Sequence, residues 1–451
     1  LVNLNQAGEA ISCLQTAIEN VPDNSQLWLT LGNALLAQGK SSYAIRAYQK
    51  SVELDPQSAL AASNPLGFMR VARAEIELPD EIGSYDDAVY AKAKENYARL
   101  CREVPLVADS RPSYYVYSLV RNGHRQTGIV AAASVDDYDA EIIKKHEKTR
   151  PSKEDDRTRH ILTLRSQTGP VFLACRATDE IDQLVADTMA GTPVFDFTAD
   201  DGVQHTGWRV AEASTAALQA AFATVPCLYI ADGHHRYETA LAFAKDNEDK
   251  VVDSAHVMMF LTNMDSDSMS IFPIHRVVKS PTPFDREKFL ERVNEYFDVI
   301  PWSTEVSGAE IKSRLQEFGK DRVTFCAYMG KDQTYTLIAH DPKNILPLLD
   351  KDEPKDLQVL DVMQLHAIIF REVLGIDTRD TTGQQYVSYK VDSEEAMKMV
   401  DGGGHDVVFF INPTQIDEVR RLAGMGIRLP QKATFFYPKL LSGLVINKFG
   451  K

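Results

Sequence analysis

The sequence predicts an α/β (α+β) protein, with mixed β-sheets flanked by helices and a short all-helical segment ahead of them. Three observations carry that prediction. From residue 63 onward, short apolar runs with strand spacing alternate with helical patterns of about 10 to 15 residues, which argues for packing around mixed sheets. The first 60 residues instead keep helical spacing and repeat internally. Turn signals such as Asn122-Gly123 and Asp201-Gly202 separate strand-like runs in the way hairpins require.

At 451 residues the chain has room for two or three domains, and its apolar (44%) and charged (25%) fractions are those of a globular protein. A net charge of −15 argues against nucleic acid as a general partner, because phosphate backbones are held by clustered Lys and Arg. Any anion site must be local. The five cysteines are odd in number and widely spaced, the usage of reduced thiols in a cytosolic protein. No stretch is long and apolar enough to span a bilayer, and the N-terminus lacks a basic region followed by an apolar core. A cytoplasmic protein with no membrane partner is expected. The chain has no initiator Met and starts within a helical pattern, as a fragment would.

Taken in order, the first helical stretch comes from residues 1–60. Trp28, Leu31, Gly32, Leu35, Ala44, Tyr48, Ser51 and Pro56 fall on the pattern of a tetratricopeptide repeat, and Ala10, Leu14, Ala17 and Pro22 match the end of a preceding copy. The resemblance implies peptide or protein binding. One and a half repeats, however, cannot bury a continuous solenoid core, so a remnant without a working groove fits equally. Ser63-Asn-Pro-Leu66 marks a boundary, and residues 63–451 read as the second domain, with a C-terminal α/β part from about 280.

Tyr85 to Glu103 reads as an amphipathic helix, and Tyr114 to Val120 with Gln126 to Val135 as a hairpin around Asn122-Gly123. A charge run follows from Ile143 to His160. Such a run is usually a solvated face. This one mixes His146, Glu147, Arg150, Arg157 and His160, the residue types a phosphate and metal site needs, with Glu147 as a general base. Next come strand-like Gly169 to Cys175 and helix-like Asp179 to Met189. The stretch Phe195 to Trp208 then offers His205 and Trp208 to a small ligand, while Asp200 and Asp201 suit a hairpin tip.

The central stretch runs from Cys227 to Ala244. An apolar run ends at Ala231, a polar turn follows, and apolar residues recur with helical spacing from Tyr237. This is strand, tight loop, helix. The loop, residues 232–236, packs Asp232, Gly233, His234, His235 and Arg236 where a helix opens and favours an anion. Gly233 allows close backbone approach, and Arg236 can grip a phosphate with two parallel hydrogen bonds. A plain cap with Arg236 paired to a surface acid explains part of this; two adjacent imidazoles add nothing to a cap.

Strand-like Ala255 to Thr262 and Ile271 to Val278 follow, then helix-like Asp285 to Phe297 and strands near Val323, Tyr335 and Val407. His275, His340 and His366 sit in apolar surroundings and read as satisfied core histidines. The run Leu429 to Lys439 reads as a strand ending in a rigid turn, able to present Lys432 or Lys439 to an anion beside Tyr437, or merely an edge strand guarded by Lys and Pro. No Walker lysine motif, serine elbow or protein-kinase signature is present.

From about Ser63 to Lys451 the sequence closely resembles the domain of unknown function 1015 family. The matching stretches are Lys144-Lys-His-Glu147 with Thr149-Arg-Pro151, Glu154 to His160, Gln167 to Phe172, Asp196-Phe-Thr198, Tyr229 to Arg236, Pro430-Gln-Lys432 and Phe436-Tyr-Pro-Lys439. The family's opening strand and Pro-Pro-Tyr-Asp turn are replaced here by the repeat-like helices. More distantly, the Asp-Gly-His-His-Arg loop is similar to the phosphate loop of ParB-type nucleotidases, sulfiredoxins and free-serine kinases. That resemblance implies phosphate and Mg²⁺ binding at Asp232 to Arg236, with Asp232 as metal ligand.

The expected activity is a Mg²⁺-dependent phosphotransferase acting on a small hydroxylated metabolite such as free serine, with ATP, ADP or pyrophosphate as donor. His234 or His235 would stabilise the transferred charge, Glu147 would deprotonate the acceptor, and Arg157 or Lys432 would complete the clamp; His146, His205, Trp208 and Tyr437 would line the substrate. The alternatives are a nucleotide-sensing module that recruits a protein through the repeats, and a hydrolase of nucleotides or phosphoesters.

Overall fold

The computed structural model describes residues 7–21, 27–28, 30–31, 34–35, 43, 64, 66–79, 81–104, 106–147, 151–247, 254–266, 269–302, 306–320, 322–340, 345–430 and 432–450. Gly32, Ala44, Tyr48, Ser51, Pro56, Pro22, Arg150 and Gln431 lie outside them. The chain divides into two units, one of residues 1–111, 155–169 and 442–451, the other of residues 112–154 and 170–441.

In the first unit, helix Ala7–Asn20 packs Ile11 and Ile18 with Leu31, Ala34 and Leu35, and the repeat positions Leu14 and Trp28 pack against this cluster. Helix Asp87–Glu103 begins where Asp86 accepts the Ala88 N–H, and it buries Val89, Ala93, Tyr97 and Leu100. These apolar positions recur at helical spacing, as an amphipathic helix requires. The short antiparallel pair Ser166–Gln167 and Asn447–Lys448 belongs to the same unit.

The second unit carries the larger sheets. Its first sheet has eight strands: β1 (Tyr115–Arg121), β2 (His124–Ser134), β3 (Ile143–Lys144), β4 (Val171–Cys175), β5 (Phe195–Thr198), β6 (Gln204–Arg209), β7 (Leu228–Asp232) and β8 (His256–Asn263). Their spatial order is β3-β7-β4-β8-β2-β1-β6-β5. Asn122 (φ 50°) and Gly123 (φ 78°) turn β1 into β2, the left-handed pair that a two-residue hairpin demands. The β5–β6 connection is longer, residues 199–203; Gly202 (φ 78°) is left-handed there and Asp201 Oδ1 accepts the Val203 N–H. Helices α1 (Asp179–Met189), α2 (Glu212–Phe222) and α3 (His234–Asn247) bury Ile181, Leu218, Tyr237, Ala240 and Ala244 in the cores built on this sheet. The mixed sheet and flanking helices are those the alternating pattern predicts.

One apolar run splits. Residues 271–278 read as a single strand, yet β9 (Ser270–Phe272) and β10 (His275–Val278) are separate, because Pro273 has no N–H to continue a ladder. Strand β10 joins β11 (Phe297–Pro301), β12 (Thr324–Tyr328), β13 (Thr334–Ala339), β14 (Val387–Lys390) and β15 (Val407–Phe410) in the order β11-β13-β12-β15-β10-β14. Strand β9 pairs instead with β16 (Phe435–Tyr437). The helix read over 285–297 stops at Val293, and the chain enters β11 at Phe297. No helix among the described residues is long and apolar enough to cross a membrane. All five cysteines are free; Cys175 and Cys326 are buried, whereas Cys13 and Cys101 are exposed.

Candidate functional site

The loop at the centre of the sequence is tighter than its residues suggest. Strand β7 runs through Asp232 and α3 begins at His234, so Gly233 (φ 93°) alone joins them. His234, His235 and Arg236 therefore form the first helical turn, and the first bond within α3 is Tyr237 N–H to the Gly233 carbonyl. Amides ahead of that bond have no acceptor within the helix, and the helix dipole adds partial positive charge there.

A second segment reaches this turn because of how β3 pairs. Strands β3 and β7 are parallel, with Ile143 opposite Leu228 and Lys144 opposite Tyr229. Residues that follow the two strands thus emerge at the same edge of the sheet. His146 and His234, 88 positions apart, meet with ring centroids 4.5 Å apart, edge to face, and the His146 amide donates to His234 Nε2 at 3.3 Å. Glu147 joins them: one ligand atom from each of the three lies within 4.8 Å of the others.

The C-terminal stretch supplies a third segment. Leu429 bridges Glu147 in parallel, and its amide donates to the His146 carbonyl. Thr434 Oγ1 lies 3.3 Å from His146 Nε2, and the Phe436 ring is 6.1 Å from the His146 ring. Lys439 Nζ sits 3.0 Å from Asp232 Oδ2 and 4.4 Å above the centre of the Phe435 ring.

Burial sets the protonation of this cluster. His146 is 1% exposed and His234 5%. Desolvation pushes His146 down to about 4 against the pull of the Ile230 backbone and Asp232. His234 is held well below its ordinary value by desolvation first, then by His146, His235, Arg428 and Lys145. Both imidazoles are neutral at pH 7. His146 Nδ1 is buried without a hydrogen-bond partner among the described residues.

The profile of the family described as "Protein of unknown function (DUF1015)" matches residues 37–363. The chain belongs to that family. Three of the DUF1015 stretches read from the sequence, residues 144–147, 229–236 and 436–439, are the segments that converge on the cluster. A tetratricopeptide repeat profile also matches residues 13–46. No curated protein matches the chain. Among solved structures, similar ones include a free serine kinase in complex with AMP (14% identity, 69% of this chain and 90% of that one, TM-score 0.34). A conserved hypothetical protein from Pyrococcus furiosus (13%, 69% and 94%, TM-score 0.35) and SbnI with C-terminal truncation from Staphylococcus aureus (13%, 70% and 87%, TM-score 0.34) are also similar. Likeness at those scores does not establish a shared fold.

The other residues expected at the DUF1015 site lie elsewhere or do other work. Arg236 Nη1 donates to the Pro170 carbonyl at 3.0 Å, which ties the loop to the start of β4. Lys432 is exposed with a left-handed backbone (φ 61°), and its carbonyl accepts from Arg276 Nη2 at 3.0 Å. His205 and Trp208 stand on β6, five strands from β7 and so about 24 Å away at the usual strand spacing. His205 Nδ1 is 2.6 Å from the Tyr117 hydroxyl, and Trp208 is core beneath α1 and α2. Tyr437 meets Arg121 and stacks on Phe272 at 4.8 Å. Arg157 belongs to the first unit, where it lies 4.0 Å from Asp156, and His160 Nε2 donates to the Val71 carbonyl there.

Sequence reasoning missed Arg276. It is fully buried, burial pushes its guanidinium down to about 10, and it donates to the carbonyls of Ile274 and Lys432. An arginine inside an apolar strand was the signal. The core histidines also differ from expectation: His275 and His366 each keep one buried nitrogen without a partner among the described residues.

Proposed function

We propose that this site is a phosphotransferase centre acting on a small hydroxylated metabolite such as free serine, with a nucleotide (ATP or ADP) or pyrophosphate as donor. The observation that carries the reading is the meeting of Glu147 with the first turn of α3 at a charge-bearing loop. Phosphoryl transfer asks a protein mainly for positioning and charge neutralisation. The first-turn amides and Lys439 suit the donor phosphates, and His235 stands beside them. Glu147, half-buried and facing two neutral imidazoles, is placed to take the proton of an acceptor hydroxyl.

Asp232 fits Mg²⁺ in the way that cation is usually held, by one exposed carboxylate together with phosphate oxygens. Bound there, Mg²⁺ would neutralise charge on the donor, and Lys439 would be released from Asp232 to the phosphate. The paired imidazoles do not suit Mg²⁺, which prefers oxygen ligands. The repeat at residues 13–46 fits an arm that docks a protein partner.

³¹P NMR tests the reading. Purified chain is mixed with Mg²⁺, ATP, ADP, pyrophosphate and a pool of small hydroxylated metabolites including serine, beside the Glu147→Gln protein. A new phosphomonoester signal, slower in the variant by about 100-fold or more, is expected. Free phosphate alone would make it a hydrolase, and unchanged donors that still bind would make it a sensor; either overturns the proposal.

A further inference from the structure

We infer that His146, Glu147 and His234 form a binding site for one divalent first-row cation of the zinc type, with Asp232 outside its ligand set. Nothing in the Mg²⁺ reading calls for such a site. It shares its place with the proposed phosphoryl transfer and rests on that reading for its catalytic meaning, but not for binding.

Geometry comes first. One atom from each residue lies within 4.8 Å of the others, and two chain segments 88 positions apart are needed to assemble them. Ligands bound at about 2.0–2.2 Å stand roughly 3–3.5 Å from one another, so small side-chain rotations close the set. Two imidazoles and a carboxylate are a donor set that zinc takes in catalytic sites, where a fourth position stays open. Oxygen-seeking Mg²⁺ and Ca²⁺ are poorly served by it.

Chemistry agrees. His146 Nδ1 makes no well-aligned hydrogen bond among the described residues, although the Ile230 backbone pulls on the same ring, so this atom is open to a further ligand. The ring is meanwhile oriented from its other side by Thr434 Oγ1, 3.3 Å from Nε2, as metal-bound histidines commonly are.

The test is metal binding by the whole chain without nucleotide or metabolite. Chain stripped by a chelator is dialysed against Zn²⁺ or Mg²⁺, its metal content is measured, and Co²⁺ is added to read the visible absorption of an imidazole-ligated site. One Zn²⁺ per chain is expected. Glu147→Gln and His234→Asn should each weaken Zn²⁺ binding by about 100-fold or more, and Asp232→Asn should leave it within about twofold. Thermal melts check the variants; if His234→Asn does not fold, the half-exposed Glu147→Gln decides. Absence of bound Zn²⁺, or equal binding by Glu147→Gln, overturns the inference. Zn²⁺ bound without any phosphomonoester product would sink the phosphotransferase reading alone, whereas product from a chain that binds no Zn²⁺ would sink this one alone.

Discussion

Replacing Gly233 with Ala isolates what the tight strand-to-helix junction contributes. A Cβ at this position would meet Val171 Cα and Cγ1 at 3.6 Å and Arg236 Cδ at 3.7 Å, which is ordinary contact. No clash arises, so the cost is that of the backbone at φ 93°. Left-handed conformations cost an L residue about 1–2 kcal/mol. In a large domain each kcal/mol lowers Tm by about 2–4 °C, so a fall of about 2–8 °C is expected by calorimetry. The proposed phosphoryl transfer should suffer more, because relaxing this φ swings the next residue, His234, away from His146; a misplacement of about 1 Å can cost 100-fold. Gly207→Ala provides the contrast. There a Cβ would fall 2.4 Å from the Phe195 ring, so stability should drop through steric overlap while the site, five strands away, keeps its geometry. A Gly233→Ala protein that melts with wild type and turns over normally would refute the reasoning.

Three further outcomes follow from particular residues. Asp232→Asn breaks an ion pair whose partners are 50% and 39% exposed, so stability should change by less than about 1 kcal/mol while donor affinity, measured by calorimetry, changes clearly. Arg276→Met removes the donor to the carbonyls of Ile274 and Lys432, and should lower stability by roughly 2–3 kcal/mol in urea unfolding; an unchanged midpoint would mean the buried charge costs as much as its bonds return. Burial lowers both His275 and His366 to about 3. Their folded values lie below the unfolded one, so the unfolded chain binds protons first as pH falls. Stability should be full above about pH 6.5 and decline toward pH 3, by roughly 2 kcal/mol per histidine at pH 5. His366→Asn should flatten that slope, and an equal slope in wild type and variant would exclude His366 as its source.

Most of the fold was legible because local signals agreed with one another. Asn122-Gly123 gave the hairpin, Asp285 capped its helix where expected, and the 179–189 pattern matched the helix to the residue. Boundaries failed where chain chemistry overrode apolar pattern, as at Pro273, which cuts one run into strands of two different sheets. Tyr437 and Lys432 could be singled out as unusual, yet their neighbours Arg121 and Arg276 are distant in sequence and no spacing rule reaches them.

The cluster itself depends on one pairing that no local pattern encodes. His146 and Glu147 follow β3, His234 follows β7, and only a parallel β3–β7 pair puts both exits at one edge. An antiparallel pair would have sent them to opposite ends of the sheet. Strand β3 holds just two residues, so its ladder is a weak constraint, and a slip of one residue would turn His146 to the other face. What fixes the register is burial of Ile143 at 1% exposure together with Leu429, which is fully buried, bridges Glu147 and bonds the His146 carbonyl. The C-terminal stretch is therefore a structural clamp on the site as well as its source of Thr434 and Lys439. Charge and residue type can mark the three segments in the sequence; their convergence is a property of sheet topology, and Leu429, an unremarkable leucine to any motif, is where that topology is locked.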